Sequence, residues 1–116
     1  MARKSFPFMP LYTQDWLTDE KVLTYTLEEQ GAYMRILMHL WQSHDATLPD
    51  NNKLFEKILG ISSSKWKKLR SVLIDGQFAA LHSDGEIVCQ FRLQEEWRKA
   101  AVSDIFTHYN EEDRDG

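Results

Sequence analysis

The stretch that most restricts the fold runs from Asp50 to Ile74, DNNKLFEKILGISSSKWKKLRSVLI, and reads as two short helices joined by a tight turn. Asp50 or Asn51 can accept hydrogen bonds from the open amides of a first helical turn. Leu54, Phe55, Ile58 and Leu59 then recur at helical spacing as a buried face. Gly60 ends this helix, because glycine tolerates the left-handed conformation that follows a helix C-terminus. Ser62 to Ser64 offer hydroxyl caps to a second helix, whose apolar stripe is Trp66, Leu69, Val72 and Leu73. Such a pair is a helix-turn-helix. Its other face is basic: from Asn52 to Leu73 there are six Lys or Arg (Lys53, Lys57, Lys65, Lys67, Lys68, Arg70) against Glu56 alone, a local charge of +5. The whole chain carries −4.

Before this unit the chain prescribes a strap and one long helix. In FPFMPLYTQDW, Pro7 and Pro10 break helical structure while Phe6, Phe8, Leu11 and Trp16 supply apolar contacts, so an extended segment laid over a helical core is expected. A single helical turn is expected over Asp19 to Thr24. Thr26 followed by Glu29 forms a capping box, starting a helix from Leu27 to about Ser43. Leu27, Met34, Leu37, Met38 and Trp41, widened by Ile36 and Leu40, make it the central buried helix. Gly31 costs about 1 kcal/mol relative to alanine there, which points to close approach of another backbone, with the strap as the candidate. Glu28 and His39 lie ~16 Å apart along the helix and cannot cooperate in acid–base chemistry. The glutamates are expected to cap, and His39 to face solvent.

After the pair the signals change from helix to strand. Thr47 and Leu48 form a short strand before it. Asp75-Gly76 is a turn, Phe78 to Leu81 an apolar strand, Ser83-Asp84-Gly85 a loop, and Ile87 to Phe91 a second strand. Three helices followed by a hairpin is the order of a winged helix, so the expected fold is mostly helical α+β, a winged helix-turn-helix with a short wing. His82 is the only potentially basic group on that wing, which argues against deep insertion into a groove. Leu93 to about His108 is a carboxy-terminal helix on which Trp97 is read as core in preference to a base-stacking site. The expected organisation is one domain over residues 1–109 and a flexible acidic tail over 110–116; Asp104 to Gly116 carries a net −4.

Composition limits the chemistry. A chain of 116 residues forms one domain that buries roughly 65% of its unfolded surface, with no space for a second, catalytic one. No apolar run reaches the ~20 residues that span a bilayer. MARKSFPFMP lacks the apolar stretch of a signal peptide, so a cytoplasmic location is expected. Cys89 is the sole cysteine and reads as a small buried hydrophobe in a strand. His39 and His44 fall on different helical faces, and HExxH, CxxC, GxSxG and glycine-rich phosphate loops do not occur. No catalytic residue, metal site or cofactor is expected, and the protein is read as not an enzyme.

The words Asp15-Trp16, Leu27 to Trp41, Leu48 to Asp50, Ile58 to Gly60 and Trp66 to Leu73 together resemble the YdaU-like family of phage and prophage proteins, which is similar to amino-terminal domains of phage replication initiators. The resemblance covers about Phe6 to Lys99. Its most specific element is EExGAYxRxLxxxW, from Glu28 to Trp41. It implies a winged-helix fold and a place in a phage replication region.

The expected function is non-catalytic binding of double-stranded DNA, with Lys53, Lys57, Ser64, Lys65, Lys67, Lys68 and Arg70 as contacts and the second helix of the pair in or along the major groove. The alternative is a phage-encoded interaction module whose partner is a replication or host protein. The net charge of −4 and the acidic tail favour it, since dedicated DNA binders are usually basic. A homodimer through the amino-terminal aromatics or the Trp97 helix is compatible with either.

Overall fold

The computed structural model describes residues 6–75 and 81–115, with side chains through Ser103. The chain opens with an extended strap and two short helices, α1 (Thr13–Thr18) and α2 (Glu20–Thr24), followed by the long helix α3 (Leu27–Trp41). A short 3-10 turn (His44–Ala46) leads into β1 (Thr47–Pro49), then α4 (Asn52–Leu59), α5 (Ser63–Leu73), β2 (His82–Ser83), β3 (Ile87–Cys89) and α6 (Phe91–Asp115). The fold is therefore α+β, mostly helical, with one small antiparallel sheet in the order β1-β3-β2. No helix among the described residues is long and apolar enough to cross a membrane.

The strap is shorter than the prolines suggested. Their restraint acts on their own residues and the ones just before, so it is spent by Tyr12, and α1 begins at Thr13. Phe6 anchors the extended part: its ring meets Trp41 at 5.8 Å and Trp97 at 5.5 Å, and its carbonyl accepts a 2.9 Å hydrogen bond from Trp41 Nε1. Phe8 is exposed. Trp16 on α1 stacks on Tyr33 at 5.2 Å. Arg92 closes the junction with α6, lying 4.2 Å over the Tyr12 ring and 2.6 Å from Asp15. Asp19 caps α2 by accepting from the Lys21 and Val22 amides.

Helix α3 starts as its capping box requires, with Thr26 and Glu29 exchanging hydrogen bonds of 3.1 and 2.8 Å. Its buried face keeps Ile36, Leu37, Leu40 and Trp41 of the expected one but turns from Leu27 and Met38 toward Ala32 and Tyr33. Ala32, Tyr33, Ile36, Leu37, Leu40 and Trp41 are buried, whereas Leu27 is 86% and Met38 47% exposed. The partners decide the face: α4, α5 and α6 all pack on α3, and together they select the stripe centred on Ile36 and Leu40. Gly31 marks no close approach either. A methyl group placed there meets no described atom within 4 Å outside its own helix. His39 is half-buried, and this burial, followed by the nearby Arg35 charge, lowers its pKa.

Helices α4 and α5 are built from the expected local signals. Asn51 caps α4 through the Lys53 and Leu54 amides, Gly60 ends it at φ 66°, and Ser62 caps α5 through the Lys65 amide. Trp66 lies flat on Phe55, centroids 4.9 Å apart and planes within 5°, and both rings are almost wholly buried. Trp66 Nε1 donates to Asn52 Oδ1 at 2.9 Å, so the polar edge of the indole is satisfied at the rim of the core. Arg35 of α3 donates from Nε to the Ile58 carbonyl at 2.8 Å, satisfying an open acceptor at the end of α4.

The hairpin turns at the expected Ser83-Asp84-Gly85 loop, and its second strand starts at Ile87 as expected. Phe78 to Ala80 and the Gly76 turn lie outside the described residues, and the paired strands are β2, with His82 opposite Cys89, and β3. β3 is also the partner of β1, with Leu48 opposite Val88. It stops at Cys89 because the Gln90 side chain accepts the Leu93 amide at 2.6 Å and starts a helix, so Phe91 belongs to α6 and not to a strand. Cys89 is buried as expected, and burial raises its thiol pKa. Trp97 is core, edge-on to Phe6 and to His44. α6 continues past the expected end near His108 to Asp115; its side chains from Asp104 onward, including the acidic end, lie outside the described ones.

Two stability outcomes follow from this packing. Trp66→Ala removes a stacked, buried indole and should cost ~3–5 kcal/mol by chemical denaturation, whereas a loss below ~0.5 kcal/mol would place Trp66 at the surface. Gly31→Ala, in open space in mid-helix, should stabilise by about 0.5–1 kcal/mol, seen as a raised melting temperature.

Candidate nucleic-acid interface

With Trp66, Leu69 and Leu73 turned inward, the 100° step of the helix fixes what α5 presents to solvent. Ser64, Lys67, Lys68 and Ser71 fall together on the side opposite Trp66 and Leu73, and all four are exposed. Among the described residues Lys67 and Lys68 form no ion pair, and neither do the exposed Lys53 and Lys57, one turn apart on α4. The Ser71 hydroxyl is turned back to the Lys68 carbonyl at 2.7 Å, whereas Ser64 lies 3.3 Å from the capping Ser62 hydroxyl at the start of the helix.

The flanks of α5 differ from this outward stripe. Lys65 leans toward α3 and pairs with Glu28, Nζ to Oε2 at 3.3 Å, with both side chains about half exposed. Arg70 is engaged inside the protein. Its guanidinium grips Asp50 with Nη1–Oδ1 at 2.6 Å and Nη2–Oδ2 at 3.2 Å. It also reaches Asn52 Oδ1 at 3.1 Å and, through Nε, Asp75 Oδ1 at 3.3 Å. The Arg70 side chain is 21% exposed and that of Asp50 only 10%. The second Asp50 oxygen also accepts the Ser83 hydroxyl of β2. This fork joins the start of α4, the last turn of α5 and the hairpin.

Of the seven residues expected to contact DNA, five are thus exposed without an ion pair: Lys53, Lys57, Ser64, Lys67 and Lys68. Lys65 is shared with Glu28, and Arg70 is a positioning residue engaged by Asp50, Asn52 and Asp75. Sequence reading missed the second role because Asp50 looked like a helix cap. The structure gives the cap to Asn51 and leaves the Asp50 carboxylate for Arg70. The available signal was the redundancy of two capping residues in tandem, one of which had to find other partners. On the β2–β3 hairpin, Asp84 and Glu86 are exposed and His82 stacks on Phe91 at 4.1 Å, so the hairpin tip adds no fixed positive charge.

The family described as a protein of unknown function (DUF1376) matches residues 7–98. The chain belongs to the DUF1376 family. That span takes in the strap, α3, the α4–α5 pair, the sheet and the part of α6 that ends at Arg98, whose guanidinium grips Asp45 through two 2.7 Å bonds. No curated protein and no solved structure matches the chain. Among the described residues of this DUF1376 chain, no three His, Cys, Asp or Glu side chains gather as a group able to hold a metal ion.

The Arg70 fork predicts a pH dependence. Its hydrogen bonds hold the Asp50 carboxyl below the usual carboxylate range, opposed by burial and helped by Ser83. A depressed folded pKa adds stability that is complete above the unfolded value, ~3.9, and is lost as pH falls through the folded one. Asp50→Asn should therefore cost about 1.5–3 kcal/mol at neutral pH, the scale of hydrogen bonds to a charged group. Denaturation curves at stepped pH should show the gap from the parent protein closing below pH ~4. A gap that stayed constant into strong acid would remove the ion pair as its source.

Proposed function

We propose that this DUF1376 chain is a non-catalytic, winged-helix DNA-binding protein that acts in phage or prophage DNA replication. The observation that carries the reading is the outward stripe of α5, where Ser64, Lys67 and Lys68 stand exposed on the second helix of a helix-turn-helix whose inner face is fully used in packing. The element order supports the winged-helix assignment: three helices α3, α4 and α5, a strand β1 inserted before α4, and a hairpin whose inner strand pairs back to β1. In this reading Lys67 and Lys68 neutralise backbone phosphates, Ser64 reaches a phosphate or base edge at the start of α5, and Lys53 and Lys57 follow the flanking backbone. Arg70 sets the tilt of α5 by tying it to Asp50 and makes no contact with DNA. The acidic tip of the wing keeps the hairpin out of the groove. The place in replication rests on the YdaU-like resemblance, whose most specific element is Glu28 to Trp41.

A second reading is the protein-interaction module. It is favoured by Leu17, Leu23 and Leu27, which are 68%, 65% and 86% exposed on the amino-terminal helices, in a chain whose net charge is −4. A replication or host factor would then be the partner, and the lysines would steer its approach.

Salt titration separates the two. Lys67→Ala combined with Lys68→Ala should leave folding intact, because both residues lie off the buried face. It should make the slope of log affinity against log salt shallower by up to ~1.8, ~0.9 per lost phosphate contact. A parent protein with no salt-dependent affinity for duplex DNA overturns the DNA reading. So does a folded double variant that binds with the parent's affinity and slope.

A further inference from the structure

Resting on that DNA-binding reading, we propose that Glu28 occupies the place of a backbone phosphate at Lys65 and so sets the affinity of the α5 face for DNA. The two residues face each other across a groove lined by Thr26, Glu28 and Glu29 on one wall and by Ser62, Ser64, Lys65 and Lys68 on the other. Only one wall is positive. The Lys65 ammonium is directed to Glu28 Oε2 at 3.3 Å, which is the kind of contact a phosphate oxygen would make.

Glu28 is available for this role because α3 does not use it to fold. The capping box is completed by Glu29, which takes both reciprocal hydrogen bonds with Thr26, and Glu28 makes no hydrogen bond of that kind. It projects from the first turn, more than half exposed, and pairs with Lys65. Lys68 of the outward stripe also lines this groove, so a phosphodiester held by Lys68 lies beside Lys65, whose ammonium the Glu28 carboxylate already engages. For Lys65 to bind phosphate, Glu28 must release it and regain its own counterion, so the contact adds little net counterion release. The pair therefore reduces both affinity and salt sensitivity. An exposed pair is a weak competitor, so the effect is a graded setting and not an on–off switch.

Glu28→Gln removes the competing charge and retains the shape. Binding to a short mixed-sequence duplex, followed by fluorescence anisotropy across a salt series, should tighten roughly two- to fivefold, the range an exposed ion pair allows. The salt slope should steepen by up to ~0.9, one additional phosphate contact. Removing any negative charge near DNA would also tighten binding, so the decisive measurement repeats Glu28→Gln in a Lys65→Ala background. There the gain should vanish, because the lysine through which Glu28 acts is gone. A salt-sensitive parent whose Glu28→Gln variant binds unchanged, or a gain that persists without Lys65, overturns the inference and leaves the DNA-binding reading standing. A parent protein without salt-dependent binding overturns both.

Discussion

The face that α5 shows to solvent depends on one contact, the flat stacking of Trp66 on Phe55. An indole is the largest side chain on the buried face of this eleven-residue helix, and with Leu69 and Leu73 it fixes which face is turned inward. The Trp66 Nε1 bond to Asn52 fixes the ring within its plane as well, because turning it would bury an unpaired donor. Once the rotation is set, Lys67 and Lys68 can point only outward. A change in the core would therefore reach the basic stripe without touching a lysine.

Tilt is set separately, by the Arg70–Asp50 fork. The fork fastens the last turn of α5 to the start of α4 and, through Ser83, to the hairpin. Its two carboxylate oxygens both accept from the planar guanidinium, a geometry that lysine could not reproduce. Arg70 is worth more to the site as a strut than as one more charge. The local +5 of the sequence thus overstates the charge available to a partner: Arg70 is neutralised by Asp50, and Lys65 is opposed by Glu28.

What was legible in the sequence is what is decided within four residues. The Thr26–Glu29 box, the Asn51 and Ser62 caps and the Gly60 stop are satisfied by atoms one helical turn away, so their signals are complete in the string itself. The rotation of α3 was not legible. Leu27 and Met38 fit an apolar stripe as well as Ala32 and Tyr33 do, and the choice between them belongs to α4, α5 and α6. The same holds for Arg70, whose partner lies twenty residues away. In the candidate site the lysines of the outward stripe were readable from helical spacing, whereas the two ion pairs that subtract from it required the tertiary structure.

The string from Glu28 to Trp41 bears on this division, because nearly every fixed letter in it has a folding task. Glu29 completes the cap, Ala32, Tyr33, Leu37 and Trp41 are buried, and Arg35 satisfies the end of α4. A resemblance carried by such letters speaks first of the architecture, and architecture alone does not specify a partner. Glu28 and Gly31 are the exceptions: one is exposed against Lys65, the other sits where a methyl group would meet nothing beyond its own helix. Only Glu28 among the fourteen positions reaches across to α5 with a charge. The charged link from this string to α5 is therefore a single carboxylate, and it acts against the positive charge that the rest of the α5 face supplies.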